Sequence, residues 1–153
     1  MNALELRIPP PVIALLAAGA MWLVSRSTPL LEVPRSIGML ATGTLAVAGF
    51  AFTLTGVLLF GRAKTTIHPT KPQQTSALVT SGIYRISRNP MYVGLLLILI
   101  AWAVFLSSAW SLAGPFAFVL YISRFQILPE ERVLAAKFGE AYAAYKSRVR
   151  RWL

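Results

Sequence analysis

Charge-free apolar stretches divide the chain. The first runs from Ile8 to Ser25, opening on Pro9, Pro10 and Pro11 and closing before Arg26. The second runs from Ser36 to Gly61, and the third from Asn89 to Ser123. A membrane-crossing helix needs about 20 mostly apolar residues, so each of the first two stretches suits one crossing. The third spans 35 residues. As one helix it would reach ~52 Å at ~1.5 Å per residue, against a hydrocarbon core of ~30 Å. Two helices in a tight hairpin fit better, turning near Ser107 and Ser108 or near Gly114 and Pro115. The pattern predicts an all-α integral membrane protein with about four transmembrane helices.

After Arg124 the period changes. Leu134, Phe138, Tyr142, Tyr145 and Val149 recur at three- and four-residue steps, with Lys137, Glu140 and Lys146 between them. That spacing predicts an amphipathic helix. Pro129 followed by Glu130 and Glu131 suits its first turn, where proline loses no needed donor and acids meet the positive dipole end. This helix is expected to lie at the membrane interface and cover one mouth of the bundle. The loop from Ala63 to Ser76 is polar and holds Pro69 and Pro72. The chain reads as one membrane domain over 1–153, with two generic helices in 1–61 and the chemistry-bearing region in 62–153.

Charge supports the hairpin. In the four-crossing arrangement Arg62, Lys64, Lys71, Arg85 and Arg88 share a face with Arg124, Arg132, Lys137, Lys146, Arg148, Arg150 and Arg151. Twelve of the fifteen basic residues then lie on one side, which the positive-inside rule assigns to the cytoplasm, together with both termini. The opposite loop carries Arg26 and Arg35. A single long third helix would split the twelve.

Composition narrows the class. The chain is 56% hydrophobic and 13% charged, where soluble domains average about 25% charged, and 153 residues bury too little surface to hide that excess. The net charge of +10 sits beside apolar spans, so it points to anionic membrane lipids rather than to nucleic acid. No basic leader with a small-residue cleavage site precedes the first span, so that span is expected to remain in the protein. The absence of cysteine excludes disulfides and a thiolate nucleophile, and the single His68 excludes catalytic triads and multi-histidine metal centres. No metal site is expected. Neither a dinucleotide fingerprint nor a phosphate loop is present.

Polar residues gather from Leu78 to Tyr92, a stretch that includes Gly82, Tyr84, Arg85, Arg88, Asn89 and Pro90. Taken singly these have plain structural uses: Asn89 and Pro90 as cap and first turn, the tyrosines as an aromatic belt, Glu130 and Glu131 as first-turn acids. Together with Arg85, Arg88 and Arg124 the two acids form a charged cluster over an apolar cavity. Such a cluster suits a zwitterionic cofactor and an amphiphilic substrate.

The sequences Gly82-Ile83-Tyr84, Arg88-Asn89-Pro90-Met91-Tyr92-Val93-Gly94, Glu130-Glu131, Phe138-Gly139-Glu140 and Val149-Arg150-Arg151-Trp152 carry a resemblance. In order and spacing, the C-terminal 90 or so residues resemble the isoprenylcysteine carboxyl methyltransferases and their phospholipid methyltransferase relatives. The resemblance implies an S-adenosylmethionine-dependent methyltransferase whose cofactor site is made by membrane helices. Carried over, the cofactor would be held by Ser76, Ala77, Leu78 and Val79, by Tyr84, by Asn89, Pro90, Met91 and Tyr92, and by Glu130. Asn89 stands where the family commonly has histidine. Gln126 stands where the family has an arginine implicated in holding prenylcysteine, and Arg124 is the nearest basic residue.

On that resemblance the expected reaction is methyl transfer to a lipophilic acceptor, either an isoprenylcysteine-type carboxylate or a phospholipid amine. A carboxylate is already deprotonated near neutrality. An amine must first lose a proton, and Glu131 is the expected acceptor. Arg88 or Arg124 would hold a carboxylate or phosphate through forked hydrogen bonds. A non-catalytic membrane protein of the same fold, or a nicotinamide-dependent membrane reductase, would share these helices. Cofactor preference separates the three.

Overall fold

A computed structural model describes residues 5–63 and 76–153. His68, Lys64, Lys71, Pro69 and Pro72 lie outside the described residues. Among those described the secondary structure is helical, without strands. The helices are α1 (Pro10–Arg26), α2 (Arg35–Arg62), α3 (Pro90–Leu106), α4 (Ala113–Ile122) and α5 (Leu128–Arg148), with short 3-10 turns at Gly82–Arg85 and Ala109–Leu112. Two continuous helical stretches, Arg35–Arg62 and Ala109–Arg148, are long and apolar enough to cross a membrane, while Pro10–Arg26 and Pro90–Leu106 are shorter apolar helices.

The proline-rich entry to α1 places Pro10 in its first turn, where the missing N–H was unsatisfied anyway. Pro90 does the same for α3. Helix α3 ends at Ser107, which takes a left-handed conformation at φ 49°. Ser107 accepts a hydrogen bond from the Leu31 amide at 2.6 Å, and Ser108 shares one with Thr28 at 2.8 Å. The hairpin therefore turns at Ser107 and Ser108, pinned by the α1–α2 loop. Gly114 and Pro115 belong instead to the first turn of α4, where proline is tolerated, and Gly114 lies against Met21.

Helices α2 and α3 meet through small residues. A Cβ at Gly49 would lie 2.7 Å from the Gly94 carbonyl oxygen. One at Gly94 would strike Thr53 and the Gly49 backbone. Side-chain-free contact of this kind lets two apolar helices approach closely and gain dispersion. Around α3 the core joins Ala14, Met21, Tyr92, Leu99, Ala103, Phe118, Ile122 and Ile127.

Helix α5 opens as expected, with Pro129 in its first turn beside Glu130 and Glu131, but it is continuous with α4. Residues 109–148 form one helical run, and Ser123–Ile127 make a π turn between α4 and α5. Pro129 explains it: without an N–H, proline leaves the carbonyl four residues earlier, that of Phe125, without a helical donor. The widened turn exposes that carbonyl, and the Leu6 amide donates to it at 3.0 Å. The expected single amphipathic helix is also bent, since Gly139 sits at φ 50°, ψ −124°. The bend carries Tyr142 and Tyr145 back onto Tyr84.

Two ends result. One gathers Glu5, the end of α2, residues 76–90, the π turn and α5. The other gathers Arg26, Thr28, Arg35 and the Ser107–Ser108 turn.

Candidate functional site

At the first of these ends, the opening turn of α3 faces the opening turn of α5. The Tyr92 hydroxyl donates to Glu130 Oε1 at 2.6 Å. Removal from water pushes Glu130 up to about 8, with the neighbouring Glu131 charge adding and the Tyr92 hydrogen bond opposing. Among the described residues no lysine or arginine pairs with Glu130. That is unusual in a chain with fifteen basic residues.

Glu131, one residue on, is surrounded. Arg88 Nη2 lies 3.0 Å from its Oε1. Arg151 donates to both oxygens at 3.0 and 2.9 Å, and Lys146 approaches to 3.9 Å. Donating to Glu131 raises Arg151 further. Arg88 is buried, with Nε and Nη1 unpartnered. This part of the site is thus a positive cluster with unused donors.

The C-terminal residues close over α3. The Arg88 amide donates to the Arg150 carbonyl at 3.0 Å. Asn89 Nδ2 donates to the Arg151 carbonyl at 2.9 Å, and the Trp152 indole donates to Ser123 at 3.2 Å. Asn89 occupies the N-cap position of α3 without making a side-chain cap, because its amide is spent on this strap.

Tyr84 completes the site. Its ring packs edge-on to Phe60 at 5.3 Å, and its carbonyl accepts from the Tyr145 hydroxyl at 2.7 Å. Its own hydroxyl is buried without a partner, and burial holds it far above the usual phenol range. Tyr142, against the same cluster, is pushed up to about 12 by burial first and Glu131 second. Gly56 makes room here, since a Cβ there would lie 2.9 Å from Met91 and 3.5 Å from the Tyr84 hydroxyl.

The expected site residues therefore fall into three groups. Tyr84, Pro90, Met91, Tyr92 and Glu130 come together, with Leu78 and Val79 packed on the tyrosine cluster; Ser76 and Ala77 precede them along the chain. Asn89, Arg88 and Glu131 meet at the C-terminal strap. Arg124 lies elsewhere, 3.5 Å from Glu5. Glu5 and the pairings of Arg132, Gln126 and Arg151 were not legible in the sequence. Arg151 belonged to a recognisable closing motif, but nothing in its spacing names Glu131 as its partner.

The site thus joins an acid–tyrosine pair and a basic cluster at one end of an all-helical bundle. Comparison with known proteins gives the family. A profile of the phospholipid methyltransferase family matches residues 37–141, and the chain belongs to that family. It is 31% identical over 109 residues to protein-S-isoprenylcysteine O-methyltransferase B of Arabidopsis thaliana, covering 69% of this chain and 54% of that protein. The chain thus spans about half the length of this relative. An uncharacterised Haemophilus influenzae protein is 49% identical over 63 residues, which is 41% of this chain and the whole of that protein.

Proposed function

We propose that this chain is a multi-pass membrane methyltransferase that uses S-adenosylmethionine to methylate a lipophilic acceptor at the basic membrane face. The observation that carries the reading is the half-buried Glu130–Tyr92 pair without a cationic partner, beside the unpartnered Tyr84 hydroxyl, in a chain of this family. The donor set fits the group: an unneutralised carboxylate suits its cationic portion, and the phenols suit its hydroxyls.

The cofactor supplies an activated methyl on a sulfonium. The chain's residues bind, orient and exclude water. Glu130 and Tyr92 offer the polar anchor, Tyr84 a hydrogen bond, and Leu78, Val79, Pro90 and Met91 the apolar wall. Arg88 offers Nε and Nη1 to a carboxylate or phosphate on the acceptor. Both oxygens of Glu131 are already hydrogen-bonded, which directs it to orienting Arg88 rather than to moving protons. Four apolar helices and a predominantly basic face support residence in the membrane, with both termini and the site on the cytoplasmic side.

Calorimetric titration of the detergent-solubilised protein with S-adenosylhomocysteine tests this. Saturable binding, at least tenfold weaker in Glu130→Ala, is expected, with no binding of NADPH. A folded sample that binds NADPH and not S-adenosylhomocysteine overturns the reading in favour of a reductase.

A further inference from the structure

The segment before α1 carries an acid where a basic face would otherwise lie open. Glu5 is buried, its side chain 3% exposed, while Arg124 and Arg132, which hold it, are 50% and 59% exposed. Each carboxylate oxygen meets a different guanidinium: Oε1 lies 3.5 Å from Arg124 Nη1, and Oε2 2.7 Å from Arg132 Nη2. Two arginines converging on the two oxygens of one anion is the arrangement that recognises phosphate as readily as carboxylate.

The rest of the segment is fastened by main-chain contacts at one spot. The Leu6 amide caps the Phe125 carbonyl that Pro129 leaves free. Gln126 Nε2 donates to the Ile8 carbonyl at 2.7 Å. Leu6 adopts φ 58°, a conformation that L side chains avoid. A strained segment that places one carboxylate between two exposed guanidiniums is built to be displaced. Arg124 lies within the π turn, just past the apolar end of α4, and Arg132 lies in α5 just past that turn, a placement that suits headgroup phosphates at a membrane interface.

We infer that Arg124 and Arg132 form a binding site for the phosphate of an anionic phospholipid, and that Glu5 occupies it as an internal stand-in which the lipid displaces. The inference rests on the membrane reading proposed above, but not on the identity of the cofactor or acceptor. The exchange conserves charge, because one monoanion replaces another between the same two cations. It also releases Glu5 from Arg124 of the π turn and Arg132 of α5, so lipid occupancy and the position of the N-terminal segment become linked.

Native mass spectrometry of the detergent-solubilised full chain, titrated with phosphatidylglycerol and separately with phosphatidylcholine, tests the site. Glu5→Gln is expected to bind phosphatidylglycerol at least fivefold more tightly than the parent. Arg124→Gln/Arg132→Gln is expected to lose that preference, and adding Glu5→Gln to the double variant is expected to restore nothing. Equal phosphatidylglycerol affinity in the parent and Glu5→Gln overturns the inference, as does retention of the preference in the double variant. Displacement of the lipid by millimolar inorganic phosphate would overturn the assignment to lipid. Should Glu5→Gln prove unfolded by its melting curve, Arg132→Gln alone is compared, its half-exposed side chain being dispensable for packing; unchanged affinity there overturns the inference. Titration of the same samples with S-adenosylhomocysteine separates failure of this site from failure of the methyltransferase reading.

Discussion

Glu130 and Glu131 are adjacent in sequence and opposite in circumstance. Glu131 has three basic neighbours, whereas Glu130 has a phenol. Because the folded chain holds Glu130 at about 8 from an ordinary 4.5, it favours the protonated acid. That contribution to stability is complete below about pH 4.5 and is lost as pH rises through about 8. Without ligand, Glu130 should therefore make the melting temperature fall from about pH 4.5 to about pH 8, and Glu130→Gln should flatten the decline. A ligand ammonium placed beside Glu130 reverses the preference. S-adenosylhomocysteine affinity should rise with pH up to about 8, by as much as tenfold per unit, and calorimetry in buffers of different ionisation enthalpy should register proton release that Glu130→Gln removes. Glu131→Gln has a different outcome. It leaves Arg88 buried beside an uncharged amide, so stability should drop by about 3 kcal/mol, measured by denaturant unfolding, and the C-terminal strap should exchange its amides faster.

At the scale of elements, two features decide the geometry: the α2–α3 crossing and the π turn. Gly94→Val places methyl groups where the Gly49 backbone and Thr53 already lie, which should cost about 3 kcal/mol or force the helices apart; thermal unfolding in detergent reads it. Pro129→Ala tests the π turn. With an N–H restored at position 129, the Phe125 carbonyl regains a helical donor, the turn should tighten to α, and the Leu6 amide should lose its acceptor. Hydrogen exchange of residues 5–8 should then accelerate while exchange in α3 stays unchanged. The apolar runs made α1, α2 and α3 legible to within a residue or two. Ser107 and Gly114 both remained open as the hairpin turn, because either small polar or flexible residue can end a helix. What selected Ser107 is its contact with Leu31 and that of Ser108 with Thr28. Periodicity also implied an unbroken tail helix, because Leu134, Phe138, Tyr142 and Tyr145 keep helical spacing on both sides of the Gly139 bend.

For the whole molecule, the arrangement brings the N-terminal segment, residues 76–90, α5 and the C-terminal strap to one end. The Thr28 and Ser108 loops come to the other. If that axis is the membrane normal, single cysteines introduced at Ser27 and Ser147 should react with an impermeant maleimide from opposite sides of sealed vesicles. The chain has no native cysteine to interfere. Labelling of both from one side would refute the four-crossing topology.

Apolar run length and basic asymmetry by themselves determined the helical class and the sharing of one end by Arg88, Glu130 and Arg151, because burial and charge placement follow from composition along the chain. The motif order determined the family. Tertiary structure decided which charge meets which. It gave Glu131 to Arg88 and Arg151, gave Arg124 and Arg132 to Glu5, and left Glu130 with Tyr92. Ion pairing acts over a few ångströms between residues up to 127 positions apart, and no local pattern records such a distance.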